Sequence, residues 1–275
     1  MCLLVIDWKL LPEAPVLVAA NREEAFDRPA LPPRIVKGAI STEERSRRGD
    51  QAGSVAPRVL CGIDERAGGT WLGVNEHGLL VAVTNRRTAV RTAPLRSRGT
   101  LCQELLDSPG AEEASRRAME ELARGSYAGA NFACVDFESG WVIHAGDRLE
   151  RIELAPGRHL ITNQDLNDPA DGRLSLARRL FDQQEIGSAA EFLATAQRVC
   201  SHRVESPLSE SEPASQVSIV LRTEVGGTVS SSLIALTRRP EEAVYLYAPG
   251  PPDITAYEDY SHLVKDLLAG LPGQW

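Results

Sequence analysis

The 275-residue chain predicts an α+β fold, in which strands and helices stand in groups rather than in regular alternation. Three observations carry this prediction. Short apolar runs recur in pairs around turn residues, helical spacing is confined to three regions, and 43% of the residues are hydrophobic, enough for a sizeable core. The chain shows no internal repeat and no convincing linker, so we expect a single domain over residues 1–275.

The first third of the chain is dominated by hairpin signals. The apolar runs "CLLVIDW" and "APVLVAA" predict two strands joined by "LPEAP", and "NREE" follows the second strand directly. Residues 30–58 are rich in proline, glycine, serine and charge, which predicts a loop. The runs "TWLGV" and "LLVAVTN" predict another hairpin around the tight turn "NEHG".

The rest of the chain predicts helices, strands, helices and strands in turn. Residues 101–125 have helical spacing, and Pro109-Gly110 divides them into two helices. Strands are expected within "ANFACVDFESGWVIHAGDRLERIEL" and at "GRHLITN", followed by helices at "SLARRLFDQQ" and "SAAEFLATAQRVC". Residues 205–215 predict a polar loop. The runs "QVSIVLRT", "GTVSSSLIALT" and "EAVYLYA" predict strands, and "YSHLVKDLLAGL" predicts a last helix.

Composition excludes several classes of protein. The net charge of −8 and the isoelectric point of about 5.3 argue against nucleic-acid binding. No apolar run approaches the roughly 18 residues of a membrane span, and charged residues and prolines interrupt the N-terminal run, so we expect a cytoplasmic protein. The five cysteines are dispersed and odd in number, which predicts neither a disulfide framework nor a metal site. We expect no cofactor, and the sequence does not indicate an oligomeric state.

Cys2 follows Met1 directly, and this placement carries the main functional hypothesis. Methionine aminopeptidases generally remove methionine before a small residue, which would give Cys2 a free α-amine. Such an amine has a pKa of about 7.7–8.0, near the pH at which a general base works best. The amine would accept the thiol proton, directly or through a water, and the thiolate would attack a carbonyl carbon. The alternative is that a cysteine stands at a variable terminus by chance.

Three other side chains are candidates for the same site. A hairpin of this length brings the start of strand one near the end of strand two, so Arg22 is expected near the Cys2 thiol. Asn85 and Asn163 each follow an apolar run and a threonine. Asparagines in that position are either turn formers or a pair of amide donors.

Several motifs together resemble a known family. The stretches "MCLL", "AANREE", "AGGTWLGVNEHGLLVAVTN" and "LITNQDL" resemble the NRDE family, also called the transport and Golgi organisation family. The motif Asn-Arg-Asp-Glu that names the family reads Asn21-Arg22-Glu23-Glu24 here, and "GGTWLG" over residues 68–73 is the most specific element. The resemblance covers residues 1–182 well and extends more loosely through "GTVSSSLIAL" and "YLYAPGPPD".

The resemblance implies a fold and a set of site residues. The family is similar to N-terminal nucleophile hydrolases with an N-terminal cysteine, such as conjugated bile acid and penicillin acylases, which form a four-layer αββα sandwich. It implies that Cys2 is the nucleophile, that Arg22 lies beside it, and that Asn85 and Asn163 belong to the oxyanion and amine network. The residues that we expect in binding roles are Asn21, Glu23, Glu24 and Trp71.

The chain departs from the family pattern at two positions. Glu23 replaces the family's aspartate, so the acidic partner is either Glu23 or Glu24. Many relatives carry an arginine after the stretch that resembles Gly227-Thr228, whereas this chain has Val229. A cation is therefore either missing at this point or supplied by another residue, such as Arg222.

Three functions are compatible with these observations. The first is an amidohydrolase or acyltransferase that acts on a linear amide, through a non-peptide C–N bond, or on a thioester. The second is a non-catalytic carrier of haem or of acyl-CoA-type lipids, although the five histidines stand in no recognisable haem motif. The third is a structural or assembly protein without a small ligand.

Overall fold

A computed structural model describes residues 2–39, 56–88, 96–125, 127–204 and 218–271. Within these ranges the strands are β1 (Leu3–Trp8), β2 (Val16–Ala25), β3 (Ala30–Lys37), β4 (Arg58–Asp64), β5 (Leu72–Asn75), β6 (Leu80–Asn85), β7 (Ala130–Val135), β8 (Gly140–Ala145), β9 (Leu149–Glu153), β10 (Gly157–Ile161), β11 (Gly226–Leu236), β12 (Val244–Ala248) and β13 (Glu258–Asp259). The α-helices are α1 (Arg98–Leu105), α2 (Ala111–Ala123), α3 (Gly172–Asp182), α4 (Ala189–Cys200) and α5 (Ser261–Leu268).

The strands form two antiparallel sheets. The first sheet has the order β10-β1-β2-β11-β12-β13, and the second has the order β3-β4-β5-β6-β7-β8-β9. In the first sheet, β1 pairs with β2 in the register Leu3↔Asn21, and β2 pairs with β11 in the register Ser230↔Arg22. The start of β1 therefore lies inside the sheet, between β10 and the end of β2.

The core shows that the molecule has four layers. Side chains alternate across a strand, so Leu4 and Ile6 of β1 pack against the second sheet, while Leu3 and Val5 pack against α3 and α4. A third cluster joins the outer face of the second sheet to α1 and α2. The order helices, sheet, sheet, helices is the αββα sandwich that the family resemblance implied, so the predicted fold class is confirmed.

Two local predictions are wrong. The predicted loop over 30–58 contains an edge strand, β3, and residues 40–55 lie outside the described part of the chain. An edge strand tolerates prolines, and the pairing of β3 with β4 shifts register around Pro32 and Pro33. The segment "NREE" lies within β2 rather than after it.

A predicted strand near the C-terminal third is also absent from the described residues. Residues 218–221 of "QVSIVLRT" form no strand, and the Val220 amide donates to the carbonyl of His202 instead of joining a ladder. An isolated bridge pairs Arg222 with Gly227 of β11, and the Leu221 amide donates to Thr228 Oγ1 over 3.0 Å. The predicted polar loop over 205–215 lies outside the described residues.

The helices agree with their predictions. Two helices occupy the region predicted over 101–125, although α1 begins three residues earlier at Arg98, and the break between them includes Pro109 and Gly110. The serine or aspartate before α1, α3 and α4 accepts hydrogen bonds from the first-turn amides, as helix starts favour. Among the described residues, no helix is long and apolar enough to cross a membrane.

Candidate active site

A cavity of about 340 Å³ opens at one end of the sandwich, between the two sheets and the amino end of α1. The first sheet and the turn after β2 contribute Cys2, Arg22, Glu23, Glu24 and Arg28. The second sheet and its turns contribute Asp64, Ala67, Thr70, Trp71, Val83 and Asn85. The segment that enters α1 contributes Arg96, Ser97, Arg98 and Gly99, and Ala128 completes the lining.

Cys2 is the residue directly before β1, and it lines this cavity. By strand alternation it shares the inter-sheet face with Leu4 and Ile6. Cys2 is partly exposed, whereas the other four cysteines are buried. Burial, followed by the negative charge of Glu23, raises the pKa of the Cys2 thiol above its ordinary value, and the charge of Arg173 opposes this shift. The thiol therefore requires a base before it can act as a nucleophile.

Arg22 joins the two sheets at the cavity. It shares the inter-sheet face of β2 with Val18, and its guanidinium carbon lies 4.3 Å from the centroid of the Trp71 ring. The side chains of Cys2 and Arg22 line the same cavity, as the hairpin predicted. A cation–π contact of this kind uses the face of the guanidinium, so the N–H donors at its edge remain available to a ligand.

Glu23 points toward the helices and forms a buried ion pair with Arg173 in the first turn of α3. Arg173 Nη1 donates to Glu23 Oε2 over 2.9 Å, and Nη2 donates to the second carboxylate oxygen. Arg173 Nη2 also donates to the carbonyl of Ile219 over 2.6 Å. Burial raises the pKa of the Glu23 carboxyl, while the charge of Arg173 works in the opposite direction. The pair fixes the part of β2 that lies beside Cys2.

The sequence analysis missed Arg173, although a signal was present. A cation in the first turn of a helix is unfavourable beside the positive end of the helix dipole. Arg173 follows the capping residue Asp171 by two positions, so its presence there pointed to a specific acidic partner. The acidic partner that the family pattern required, Glu23 or Glu24, thus divides into two roles. Glu23 pairs with Arg173, and Glu24 pairs with Arg28 over 3.4 Å.

The structure separates the two predicted asparagines. Asn85 ends β6, is exposed and lines the cavity. Asn163 is buried, stands two residues after β10, and is not among the described residues that line the cavity. The register Leu4↔Ile161, continued by two residues, nevertheless brings Asn163 opposite Cys2. Its carbonyl accepts a hydrogen bond of 3.0 Å from the Arg87 amide.

A buried network holds the segment around Asn163. Thr162 and Gln164 lie on either side of Asn163 in the chain. Asn131 Nδ2 donates to their carbonyls over 3.2 and 3.1 Å. His144 Nδ1 lies 2.7 Å from Asn131 Oδ1, and its Nε2 accepts from the Leu166 amide. Burial and the charge of Arg86 lower the pKa of His144 to about 4, so the imidazole is neutral at neutral pH. The sequence analysis gave His144 no role.

The remaining predicted residues lie at the margin of the cavity or outside it. Asn21 Nδ2 donates to the carbonyl of Cys200 over 3.0 Å, which ties β2 to α4, and Asn21 is not part of the lining. Arg222 does not replace the missing family arginine, because it pairs with Asp253 over 2.8 Å and does not line the cavity. Val229 stands where the pairing of β11 with β2 shifts register. In the described part of the chain, the cations at the cavity are Arg22, Arg28, Arg96 and Arg98.

Comparison with known proteins gives the family of the chain. The model of the family "Transport and Golgi organisation 2" matches residues 1–241, so the chain belongs to this family and the predicted resemblance is confirmed. A curated relative, the Transport and Golgi organization protein 2 homolog of Bos taurus, is 33% identical over 175 residues. The Mus musculus homolog is 29% identical over 174 residues. Each match covers 60% of this chain and 56% of the relative, so the chain spans little more than half the length of these relatives.

Solved structures with a similar backbone include three hydrolases. A mutant conjugated bile acid hydrolase from Clostridium perfringens has a TM-score of 0.46 at 12% identity, covering 94% of this chain and 96% of that chain. Penicillin V acylase from Agrobacterium tumefaciens has a TM-score of 0.47 at 14% identity, with coverages of 96% and 88%. The Caenorhabditis elegans ortholog of N-acylethanolamine-hydrolyzing acid amidase has a TM-score of 0.47 at 11% identity, with coverages of 85% and 92%.

Proposed function

We propose that this chain is an amidohydrolase or acyltransferase whose nucleophile is Cys2 after removal of Met1. One observation carries the proposal. The one partly exposed cysteine of the five stands at the start of a central strand, in a cavity that it shares with Arg22, Trp71 and Asn85. The other four thiols are buried and serve as packing residues.

The mechanism follows from the two groups that a free Cys2 would carry. The α-amine takes the thiol proton, and the sulfur attacks the carbonyl carbon of a linear amide or thioester. The side-chain amide of Asn85, which lines the cavity, stabilises the oxyanion of the tetrahedral intermediate. The amide of Asn163, which the register of β1 and β10 brings opposite Cys2, is the second donor that we propose. The ammonium then returns its proton to the leaving amine or thiol as the bond to the acyl carbon breaks. Water, activated by the amine, releases the acyl group from the sulfur, or a second amine accepts it.

The pKa of the thiol explains why the amine is needed. Burial and the charge of Glu23 raise the pKa of Cys2, so the thiol stays protonated at neutral pH without a base. The same feature supports a second candidate, a non-catalytic carrier of a haem- or lipid-like ligand, in which Cys2 only lines the cavity. The two candidates differ in what Cys2 contributes.

Cys2→Ala separates the two candidates, with Cys2→Ser as the matched control. A panel of linear N-acyl amides and acyl thioesters is assayed by release of the amine or thiol. We expect turnover to fall at least a thousandfold in both variants, since the nucleophile is lost or weakened. An acyl group on Cys2, or on the serine hydroxyl of the Cys2→Ser protein, detected by mass, would support the hydrolase further. Unchanged turnover in Cys2→Ala would contradict a role for Cys2 as nucleophile. If the unaltered protein shows no turnover and binds a ligand as tightly as Cys2→Ala does, the carrier is favoured.

A further inference from the structure

The charges around the cavity are unequally paired. Arg28 donates to Asp64 over 2.6 Å, and Glu23 is held by Arg173. Arg96 also has carboxylate partners, Glu104 at 2.6 Å and Glu121 at 2.9 Å. Among the described residues, this leaves the guanidinium groups of Arg22 and Arg98 at the cavity without a carboxylate bonded to either.

Arg22 is a buried cation that faces the cavity. It is only 7% exposed, and its guanidinium contacts the face of Trp71 but forms no hydrogen bond or ion pair with any described residue. A buried guanidinium carries five N–H donors and loses much of its hydration. The N–H donors of Arg22 that no described residue accepts therefore face the cavity, where an anion would bind them more strongly than water does.

Arg98 is a second cation in an unfavourable place. It is the first residue of α1, where the helix dipole is positive, and its Nη1 donates to the carbonyl of Gly129 over 2.8 Å. Burial lowers the pKa of Arg98, while the nearby Cys2 and Glu24 act in the opposite direction. Glu24 is already engaged by Arg28 and by the amide of Ala25.

The amino end of α1 is built into the cavity by a close backbone contact. Gly69 has a φ of +82°, and a Cβ at this residue would lie 2.3 Å from the carbonyl carbon and oxygen of Gly99. The amide of Thr70 donates to that carbonyl over 2.9 Å. The contact of Gly69 with Gly99 therefore fixes the first turn of α1, together with its capping residue Ser97, at the cavity wall. A helix start offers backbone N–H groups to an anion.

We infer that the cavity binds the negatively charged group of its substrate, a carboxylate or a phosphate, between Arg98, Arg22 and the first turn of α1. The inference rests on the proposed function for the reaction, but the binding of the anion does not require turnover. Cys2, Arg98 and Arg22 line the same cavity, so the charged group lies on the same molecule as the reacting carbonyl. The substrate class is thus an acidic amide or thioester rather than a neutral one.

The first test measures binding by calorimetry to the Cys2→Ala protein. The probes are inorganic phosphate, succinate and the neutral succinamide, at an ionic strength held constant with sodium chloride. We expect saturable binding of phosphate or succinate and none of succinamide. Arg98→Gln should weaken anion binding at least tenfold, because charge-assisted hydrogen bonds are lost. The tighter of the two anions identifies the group as phosphate or carboxylate.

Arg116→Gln is the matched control, since it removes the same charge from an exposed side chain of α2. It should leave anion binding unchanged. Equal weakening by both variants, or binding of succinamide as tight as that of succinate, would overturn the inference. If Arg98→Gln does not fold by circular dichroism, Arg98→Lys takes its place. It is expected to weaken binding severalfold, because a lysine lacks the planar fork of donors.

Turnover separates failure of this inference from failure of the proposed function. Equal kcat/KM for N-acyl amides that carry a carboxylate and for their methyl esters would contradict the anion site and leave the hydrolase intact. Arg98-dependent binding of anions, with no turnover of any amide or thioester, would support the anion site and contradict the hydrolase. A preference of at least tenfold for the acidic amides, lost in Arg98→Gln, is the result that we expect.

Discussion

At the scale of single residues, the buried pair of Glu23 and Arg173 sets part of the electrostatic environment of the Cys2 thiol. Both side chains are buried, and both contribute to the electrostatic surroundings of the thiol. A glutamate in place of the family's aspartate is one carbon longer, and this chain uses the extra length to reach a helix on the outer face of the sheet. The substitution that looked like a departure in the sequence therefore has a partner in the structure.

Glu23→Gln should cost about 3–5 kcal/mol in the free energy of unfolding, because it leaves the charge of Arg173 buried without its counter-ion. Arg173→Met should also destabilise the folded protein, since it leaves the Glu23 carboxylate buried without its counter-ion. The double variant should be more stable than the sum of the two single effects indicates. Urea denaturation of all four proteins measures this coupling, and strictly additive effects would contradict the proposed role of the pair.

His144 is a second residue whose environment has a measurable consequence. Its pKa is lowered from 6.5 to about 4, chiefly by burial, so the unfolded chain binds a proton at this residue more readily than the folded chain. The stabilisation from the neutral imidazole is complete above about pH 6.5 and is lost as the pH falls toward 4. Burial lowers the pKa of His159 in the same direction.

We therefore expect the free energy of unfolding to fall with decreasing pH between about 6.5 and 4, with His144 contributing at most about 1.4 kcal/mol per pH unit. His144→Gln should flatten this dependence. His77→Gln, at an exposed residue of the turn between β5 and β6, is the matched control for the loss of a histidine. Denaturation curves at several pH values provide the measurement, and an unchanged slope in His144→Gln would show that this histidine titrates normally.

At the scale of elements, the glycine pair of "GGTWLG" connects the second sheet to α1. Both Gly68 and Gly69 have a positive φ, at +67° and +82°, which favours glycine. They differ in what surrounds them. A Cβ at Gly68 would meet nothing within 4 Å, whereas one at Gly69 would collide with the backbone of Gly99. The motif that was most specific in the sequence thus has a structural role. Its second glycine makes the backbone contact with Gly99 that positions Arg98.

Gly68→Ala and Gly69→Ala form a matched pair that isolates this contact. Gly68→Ala should cost about 1–2 kcal/mol, the strain of a left-handed alanine alone. Gly69→Ala should lower the free energy of unfolding clearly more, because α1 must also move away from the turn before β5. Thermal unfolding of both variants measures the difference. Equal costs would mean that the contact between Gly69 and Gly99 contributes nothing to holding α1.

At the scale of the whole molecule, the sequence predicted the fold class and most of the elements, because hydrophobic periodicity and turn residues are local signals. It failed at β3, where the prolines indicated a loop although the segment pairs as an edge strand, and at residues 218–221, where an apolar run forms no strand. Both failures depend on which strands pair, and this information is not local. The single domain expected over residues 1–275 stays a prediction.

The sequence likewise predicted those residues of the candidate site that carry a local signal. Cys2, Arg22, Asn85 and Trp71 carry motif signals, and the structure brings them to one cavity. The network of His144 with Asn131 depends on contacts between distant segments, which no motif encodes. Arg173 and Arg98 each had a local signal, a cation in the first turn of a helix and the "GGTWLG" turn, but their partners Glu23 and Gly129 are distant in sequence. The catalytic roles of these residues remain proposals that depend on the state of the N-terminus.

The intact mass of the protein from its native source tests the central claim most directly. The proposed mechanism requires a free α-amine on Cys2, because the raised pKa of the thiol leaves it protonated without a base. We predict a mass that lacks one methionine, with a peptide map that begins at Cys2. A mass that retains Met1 would make that amine part of a peptide bond, remove the base and contradict the hydrolase mechanism, which would leave the carrier as the better account.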